Sequence, residues 1–162
     1  MNLKLHKIKN AGMENSFQHK VQLLGLSTLE YSILFLIGGI TYYFIEILYR
    51  GFSHFSMIIV GGICFISIGS INEFSKREIP LLLQMILSVL IIDAIELISG
   101  IIINKVLGLN VWDYSYMKYN FLGQISLRSS IAWFFLSLFA IYVDDLIRYK
   151  FFNGVKPKYK LI

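Results

Sequence analysis

The stretch IPLLLQMILSVLIIDAIELISGIII, from Ile79 to Ile103, decides the class of this protein. A helix that crosses a hydrocarbon core of about 30 Å needs roughly 17 to 25 residues, and this run reaches the upper end of that range. Its apolar residues occupy the whole circumference instead of one stripe, which suits contact with lipid better than the half-buried face of a soluble helix. Pro80 stands at its start, where a missing N–H costs nothing. Only Asp93 and Glu96 interrupt the run with charge.

Three more runs of spanning length lie on either side, so membrane spans are expected at residues 31–49, 55–71, 79–103 and 129–147. The fold class that follows is all-α, a polytopic membrane protein built as a bundle of four transmembrane helices. A transmembrane barrel would show alternating segments of about ten residues, and the sequence has none. The expected organisation is a basic N-terminal segment over 1–28, a transmembrane domain over 29–150 with a long connection at 104–128, and a basic tail over 151–162. Composition agrees: 56% of the 162 residues are hydrophobic and 15% charged, against about 25% charged in an ordinary soluble domain, and the mean hydropathy is +0.65. Such a chain is neither disordered nor a secreted disulfide scaffold, and most soluble enzymes are excluded. With Cys64 as the single cysteine, no intrachain disulfide and no cysteine-based metal motif is possible. No cofactor and no metal site is expected.

The net charge of +5 marks membrane topology, and no nucleic-acid partner is expected, because the basic residues flank the apolar blocks. Lys4, Lys7, Lys9, Lys20, Lys76, Arg77, Arg148, Lys150, Lys156, Lys158 and Lys160 fall on one side of a four-span topology, whereas Arg50, Lys105, Lys118 and Arg128 fall on the other. The positive-inside rule then predicts cytoplasmic termini and an outward-facing 104–128 loop. The first 28 residues carry four lysines and no small-residue cleavage pattern, so the first span is expected to act as its own targeting signal. The expected location is a bacterial inner or plasma membrane.

Charged groups inside spans cost a few kcal/mol each on insertion scales, so each needs a partner or a wet cavity. Two sets of candidates result. The outer set comprises Glu46, Arg50, His54, Asp93, Glu96, Asn104, Trp112, Asp113, Tyr114, Asn120 and Gln124, read as a substrate-binding cluster under a lid or as interhelical pairs beneath an interfacial aromatic loop. The inner set comprises Asn72, Glu73, Gln84, Asp144, Asp145 and Arg148, read as a partner-docking patch or as packing pairs. Glu46 and Arg50 are four apart with the acid first, the favourable order for a helical ion pair, and Asp144 and Arg148 repeat the arrangement. Asp93, Glu96, Gly100 and Asn104 advance by three, four and four, one polar stripe along a helix. Gly38, Gly39, Gly62 and Gly69 read as positions of close helix approach. No catalytic residue can be assigned, and no GxxxxGK[ST] loop for ATP is present.

The ordered series Glu46-x3-Arg50-Gly51, Ser53-His54, Gly61-Gly62, Gly69-x2-Asn72-Glu73, Gln84, Glu96, Trp112-Asp113-Tyr114-Ser115, Asn120-x2-Gly123-Gln124, Trp133 and Asp144-Asp145-x2-Arg148 resembles the bacterial ABC-transporter permease family of CmpB type. Lys118 and Arg128 stand where that family usually has proline, and Asp93 where it commonly has a hydroxyl residue. The resemblance implies a small four-helix membrane protein with a role in transport. The expected function is therefore a permease-like or accessory component of a transport system for a small solute or lipid-linked substrate. Its expected partners are membrane lipids, a separate ATPase subunit or other membrane protein, and further copies of itself. The alternative is a membrane-embedded enzyme acting on lipid headgroups or envelope precursors at the outer leaflet. A plain assembly protein, whose polar pairs only hold helices together, is the third possibility.

Overall fold

The computed structural model describes residues 27–73 and 79–161. The basic segment before Ser27, and Lys76 and Arg77, lie outside the described residues. The chain divides into two compact units, Met1–Ile33 and Leu34–Ile162. Of the first, residues 27–33 are described and helical, with Ser32 Oγ donating to the Thr28 carbonyl at 2.8 Å. All that follows concerns the second.

Among the described residues, four helices are long and apolar enough to cross a membrane: α1 (Ser27–Arg50), α2 (Ser56–Glu73), α3 (Leu81–Gly100, extended by further helix to Val106) and α4 (Leu127–Phe151). This is a multi-pass membrane protein. Large apolar side chains point outward along the helices, among them Leu90, Ile98, Phe135 and Phe139. In water such a surface would aggregate; in lipid it is the solvated face. Burial inside the protein accounts for 44% of the span in α2 but only 17–22% in the other three, so α2 is the most enclosed helix. The core gathers Met57, Val60 and Ile68 of α2 with Met85 and Ile92 of α3 and Ile141 of α4.

Glycines set the closest approaches. A Cβ at Gly38 or Gly39 would strike Phe65 or the Ile58 carbonyl of α2, and one at Gly61 or Gly62 would strike Tyr42 or Phe35 of α1. In lipid, where apolar matching gives little drive, such backbone proximity lets dispersion contacts hold helices together. Gly69 does the same for α2 and α4, since a Cβ there would land on the Asp144 carboxylate.

The helix ends position everything polar. After Gly100 the third helix continues as one wider π turn, Ile101–Val106, closed by Leu107 N–H donating to the Ile102 carbonyl at 2.9 Å. The long connection folds into a short antiparallel hairpin, β1 (Asn120–Phe121) paired with β2 (Ile125–Ser126) in the register Asn120↔Ser126 and Phe121↔Ile125. Leu122 (φ 54°) and Gly123 (φ 71°) turn it, both left-handed as a type I′ turn requires. The start of α4 is a capping box: Ser126 Oγ accepts from Ser129 N–H, and Ser129 Oγ accepts from Ser126 N–H. At the opposite end of the bundle, Asn153 (φ 57°) reverses the chain, and Gly154 N–H returns to the Arg148 carbonyl at 2.9 Å. The tail then crosses to the start of α3, where the Lys160 carbonyl accepts from Leu81 N–H at 2.8 Å and the Leu161 carbonyl from Leu82 N–H at 3.3 Å. Pro80 offers no side-chain cap there, so the tail supplies acceptors for the otherwise open first turn.

Candidate functional site

Two polar groupings lie at opposite ends of the bundle. At the end bearing the long connection, Glu46 near the end of α1 accepts from Arg50 Nη2 at 2.8 Å and from Ser53 Oγ at 2.6 Å. Arg50 Nη1 reaches across to the Val111 carbonyl at 2.9 Å and so ties the connection to α1. Its guanidinium also sits 5.1 Å from the centre of the Phe52 ring. The Glu46–Arg50 pair follows from spacing alone; Ser53 joins it because the turn after α1 folds back, and Val111 because the long connection lies against the end of α1.

A cleft of about 330 Å³ opens beside this pair between α1 and α4. Its walls carry Glu46 and Arg50 from α1, Arg128 from α4, and Tyr114 from the connection. Burial pushes the Tyr114 phenol above its ordinary 10.0, with the nearby Glu96 carboxylate adding to the effect. Tyr114 is thus a neutral hydrogen-bonding group in the cleft. The floor is formed by Tyr42 and Trp133, whose rings stack at 5.4 Å between α1 and α4.

Glu96 lies behind that floor. It is only 2% exposed and accepts from Tyr42 OH at 3.3 Å. The Trp133 indole N–H faces the same carboxylate but falls short of hydrogen-bond geometry. Asp93, one turn before Glu96, bridges to α4 by accepting from Ser130 Oγ at 2.7 Å.

The amide residues of the outer set bond to the protein itself. Asn104 Nδ2 donates to Gln124 Oε1 at 2.8 Å and to the Trp112 carbonyl at 3.0 Å, while its Oδ1 accepts from Val111 N–H at 2.7 Å. Trp112 Nε1 donates to the Gln124 carbonyl at 3.0 Å, and Gln124 Nε2 donates to the Leu122 carbonyl at 3.1 Å. All three residues are buried. They clamp the connection onto the π turn, and Gly100 leaves room for the Gln124 side chain. Asn120 braces the hairpin by donating to the Met117 carbonyl at 2.6 Å and accepting from Gly123 N–H at 3.0 Å. Asp113 is exposed, and the Ser115 hydroxyl and backbone N–H that donate to it hold its carboxyl below the ordinary 3.8. His54 serves its own helix: its Nδ1 meets Ser56 Oγ at 2.8 Å and accepts from Ser56 N–H at 3.3 Å at the start of α2.

The profile of the family described as "Putative ABC-transporter type IV", CmpB, matches residues 29–162. The chain belongs to this family. No curated protein and no solved structure matches it. In this CmpB-family protein the outer candidates therefore divide in three: Glu46, Arg50 and Tyr114 line the cleft, Glu96 and Asp93 brace helices behind it, and the remaining six hold the connection and the start of α2 in place. Tyr42, Arg128 and Trp133 line the same cleft without having been among the sequence candidates, because their convergence depends on how α1 crosses α4.

At the other end, Asp144 and Arg148 form an ion pair at 2.7 Å with side chains 0% and 5% exposed. Asn72 Nδ2 donates to Gln84 Oε1 at 2.8 Å, and Gln84 Nε2 to the Ile79 carbonyl at 2.7 Å. Tyr159 of the tail donates to Asp145 Oδ2 at 2.8 Å; burial, with this bond to Asp145, raises its phenol above the ordinary 10.0. Glu73 is exposed. Among the described residues, no group of three or more His, Cys, Asp or Glu side chains is placed to hold a metal ion.

Proposed function

We propose that this protein is a permease-like or accessory membrane component of a transport system, handling a small solute or a lipid-linked substrate together with a separate ATPase subunit. Membership of an ABC-transporter family with four spanning helices gives the coarse statement, a membrane protein related to transport. The observation that carries the finer reading is the cleft between α1 and α4, with Glu46, Arg50, Arg128 and Tyr114 on its walls. A concave site with a few convergent polar groups is the usual form of a ligand site. Four helices are few for a translocation path inside one chain, so the path would be completed by further copies or by the partner. The exposed Glu73, beside the Asp145–Tyr159 bond, is available to such a partner at the far end.

The geometry favours binding over acid–base catalysis at this site. Glu46 is engaged by Arg50 and Ser53, and Glu96 lies behind Tyr42 and Trp133 instead of on the cleft wall. The test is ATP hydrolysis by the tagged full-length protein isolated from its native membranes in mild detergent. The sequence holds no GxxxxGK[ST] loop, so hydrolysis that co-purifies, and that falls when Arg50→Gln is introduced, reports a coupled partner. A strictly monomeric protein with no associated hydrolysis contradicts the proposal.

A further inference from the structure

The cleft adjoins a second cavity across the Tyr42–Trp133 pair. This cavity, of about 160 Å³, lies deeper between α1 and α4 and shares Tyr42, Ile45, Trp133 and Leu136 with the first. Its walls are almost wholly apolar, from Ile37 on α1 to Val143 on α4. Between Ile37 and Arg50, and between Arg128 and Val143, the two, taken together as a groove, extend about 20 Å at 1.5 Å per residue. That exceeds the acyl layer of one leaflet, about 15 Å or half of a hydrocarbon core. Exposed side chains form its rims, Tyr49 and Ala132 at the mouth and Phe139 and Val143 further in. The groove therefore opens sideways between two spanning helices, where the chains of a bilayer lie.

Charge at the mouth is uneven. Glu46 balances Arg50, but among the described residues no carboxylate pairs with the exposed Arg128. Arg50 Nε is buried with no hydrogen-bond partner in the protein. The neutral phenol of Tyr114 lies on the same wall. One net positive charge, the exposed guanidinium of Arg128 and a phenol form a site for an anion with several acceptor oxygens, and the planar fork of arginine suits phosphate. A chainless anion would leave the apolar trough empty, and an uncharged hydrophobe would leave the guanidinium donors unmet.

We propose that this groove binds an anionic phospholipid, one whose headgroup phosphate carries no balancing cation, with that phosphate at Arg128 beside the Arg50 pair and one acyl chain along the trough between α1 and α4. The proposal rests on the binding reading of the cleft given above and names the ligand class for that site. Trp133 lines both cavities and is the natural reporter, because bromine on a lipid chain quenches indole fluorescence on contact. The experiment places the full-length protein in phosphatidylcholine vesicles and adds chain-brominated phosphatidylglycerol or chain-brominated phosphatidylcholine at equal mole fraction. Trp112, 5% exposed within the connection, supplies the background, measured in Trp133→Phe.

The expected result is about fivefold more effective quenching of Trp133 by the phosphatidylglycerol, the upper end for one exposed ion pair. Arg128→Gln should reduce the two lipids to near equality. Ala132→Phe, which fills the groove from an exposed rim position, should remove the preference while the protein remains folded. Glycerol 3-phosphate, the same phosphate ester without chains, should leave the quenching unchanged. Equal quenching by the two lipids in the unaltered protein overturns the proposal, as does a preference that survives Arg128→Gln. Displacement by glycerol 3-phosphate would reassign the site to a soluble phosphate ester. The co-purifying ATP hydrolysis requires no added lipid, so either experiment can fail without the other.

Discussion

Two acid–arginine pairs, each four residues apart on one helix, sit at opposite ends of this bundle in different surroundings. Asp144 and Arg148 are sealed, at 0% and 5% exposure, with Gly69 of α2 pressed against the carboxylate. Glu46 and Arg50 are more open, at 12% and 20%, and line a cleft that also holds Arg128 and Tyr114. The spacing creates the pair in both cases, but the surroundings decide its role. A sealed pair makes the removal of one charge costly, because the charge that remains is held away from water. On the proposed binding reading, the pair on the cavity wall keeps a half-neutralised guanidinium beside the ligand.

The contrast can be broken by matched substitutions. Asp144→Asn has the largest expected effect, a loss of roughly 3 kcal/mol or more from a buried pair, read as a lower thermal unfolding midpoint and lower folded yield in detergent. Asn104→Ala comes next: it strands the Val111 N–H and the Gln124 carboxamide, a cost of about 1–3 kcal/mol. Its expected sign is faster proteolytic cutting within residues 107–125 with the helices intact. Glu46→Gln should cost less than Asp144→Asn, because its pair borders the cleft at 12% and 20% exposure, yet raise the preference for phosphatidylglycerol at Trp133, because the negative charge beside Arg50 is gone.

The smallest effect belongs to Asp113, whose carboxyl is held below 3.8 by Ser115. A lowered carboxyl contributes order above its unfolded value and loses it as pH falls through the folded one, so the Ser115 bonds should persist at neutral pH and weaken only below about pH 4. The Ser115 amide proton resonance, followed down to pH 2, checks this. Asp113→Asn should abolish the titration.

The four spans could be read because the length of an apolar run alone decides crossing, and both ion pairs could be read because helix geometry fixes which residues four apart meet. The cleft was only half legible. Glu46 and Arg50 announced themselves as charges in a span, but Tyr42, Trp133 and Arg128 join them through a crossing of α1 and α4 that leaves no periodicity in the sequence. Asn104 and Gln124 could be read as polar residues of the outer set but not as partners; a hairpin turned by Leu122 and Gly123, without the usual Asn-Gly signal, brings them onto each other. His54 stands next to the start of α2, where Ser56 meets its Nδ1 through both Oγ and the backbone N–H. The return of the tail to Leu81 rests on backbone carbonyls alone, which no side-chain pattern records.

The most direct measurement takes Glu46→Gln and Asp144→Asn side by side and records thermal unfolding and brominated-lipid quenching of Trp133 on the same samples. The expected result is a double dissociation: Glu46→Gln unfolds closer to the unaltered protein but shows a raised phosphatidylglycerol preference, whereas Asp144→Asn unfolds far earlier while its folded fraction keeps the original preference. If both variants lose stability alike and neither changes the preference, the two pairs do the same structural work and the cleft between α1 and α4 is not a binding site.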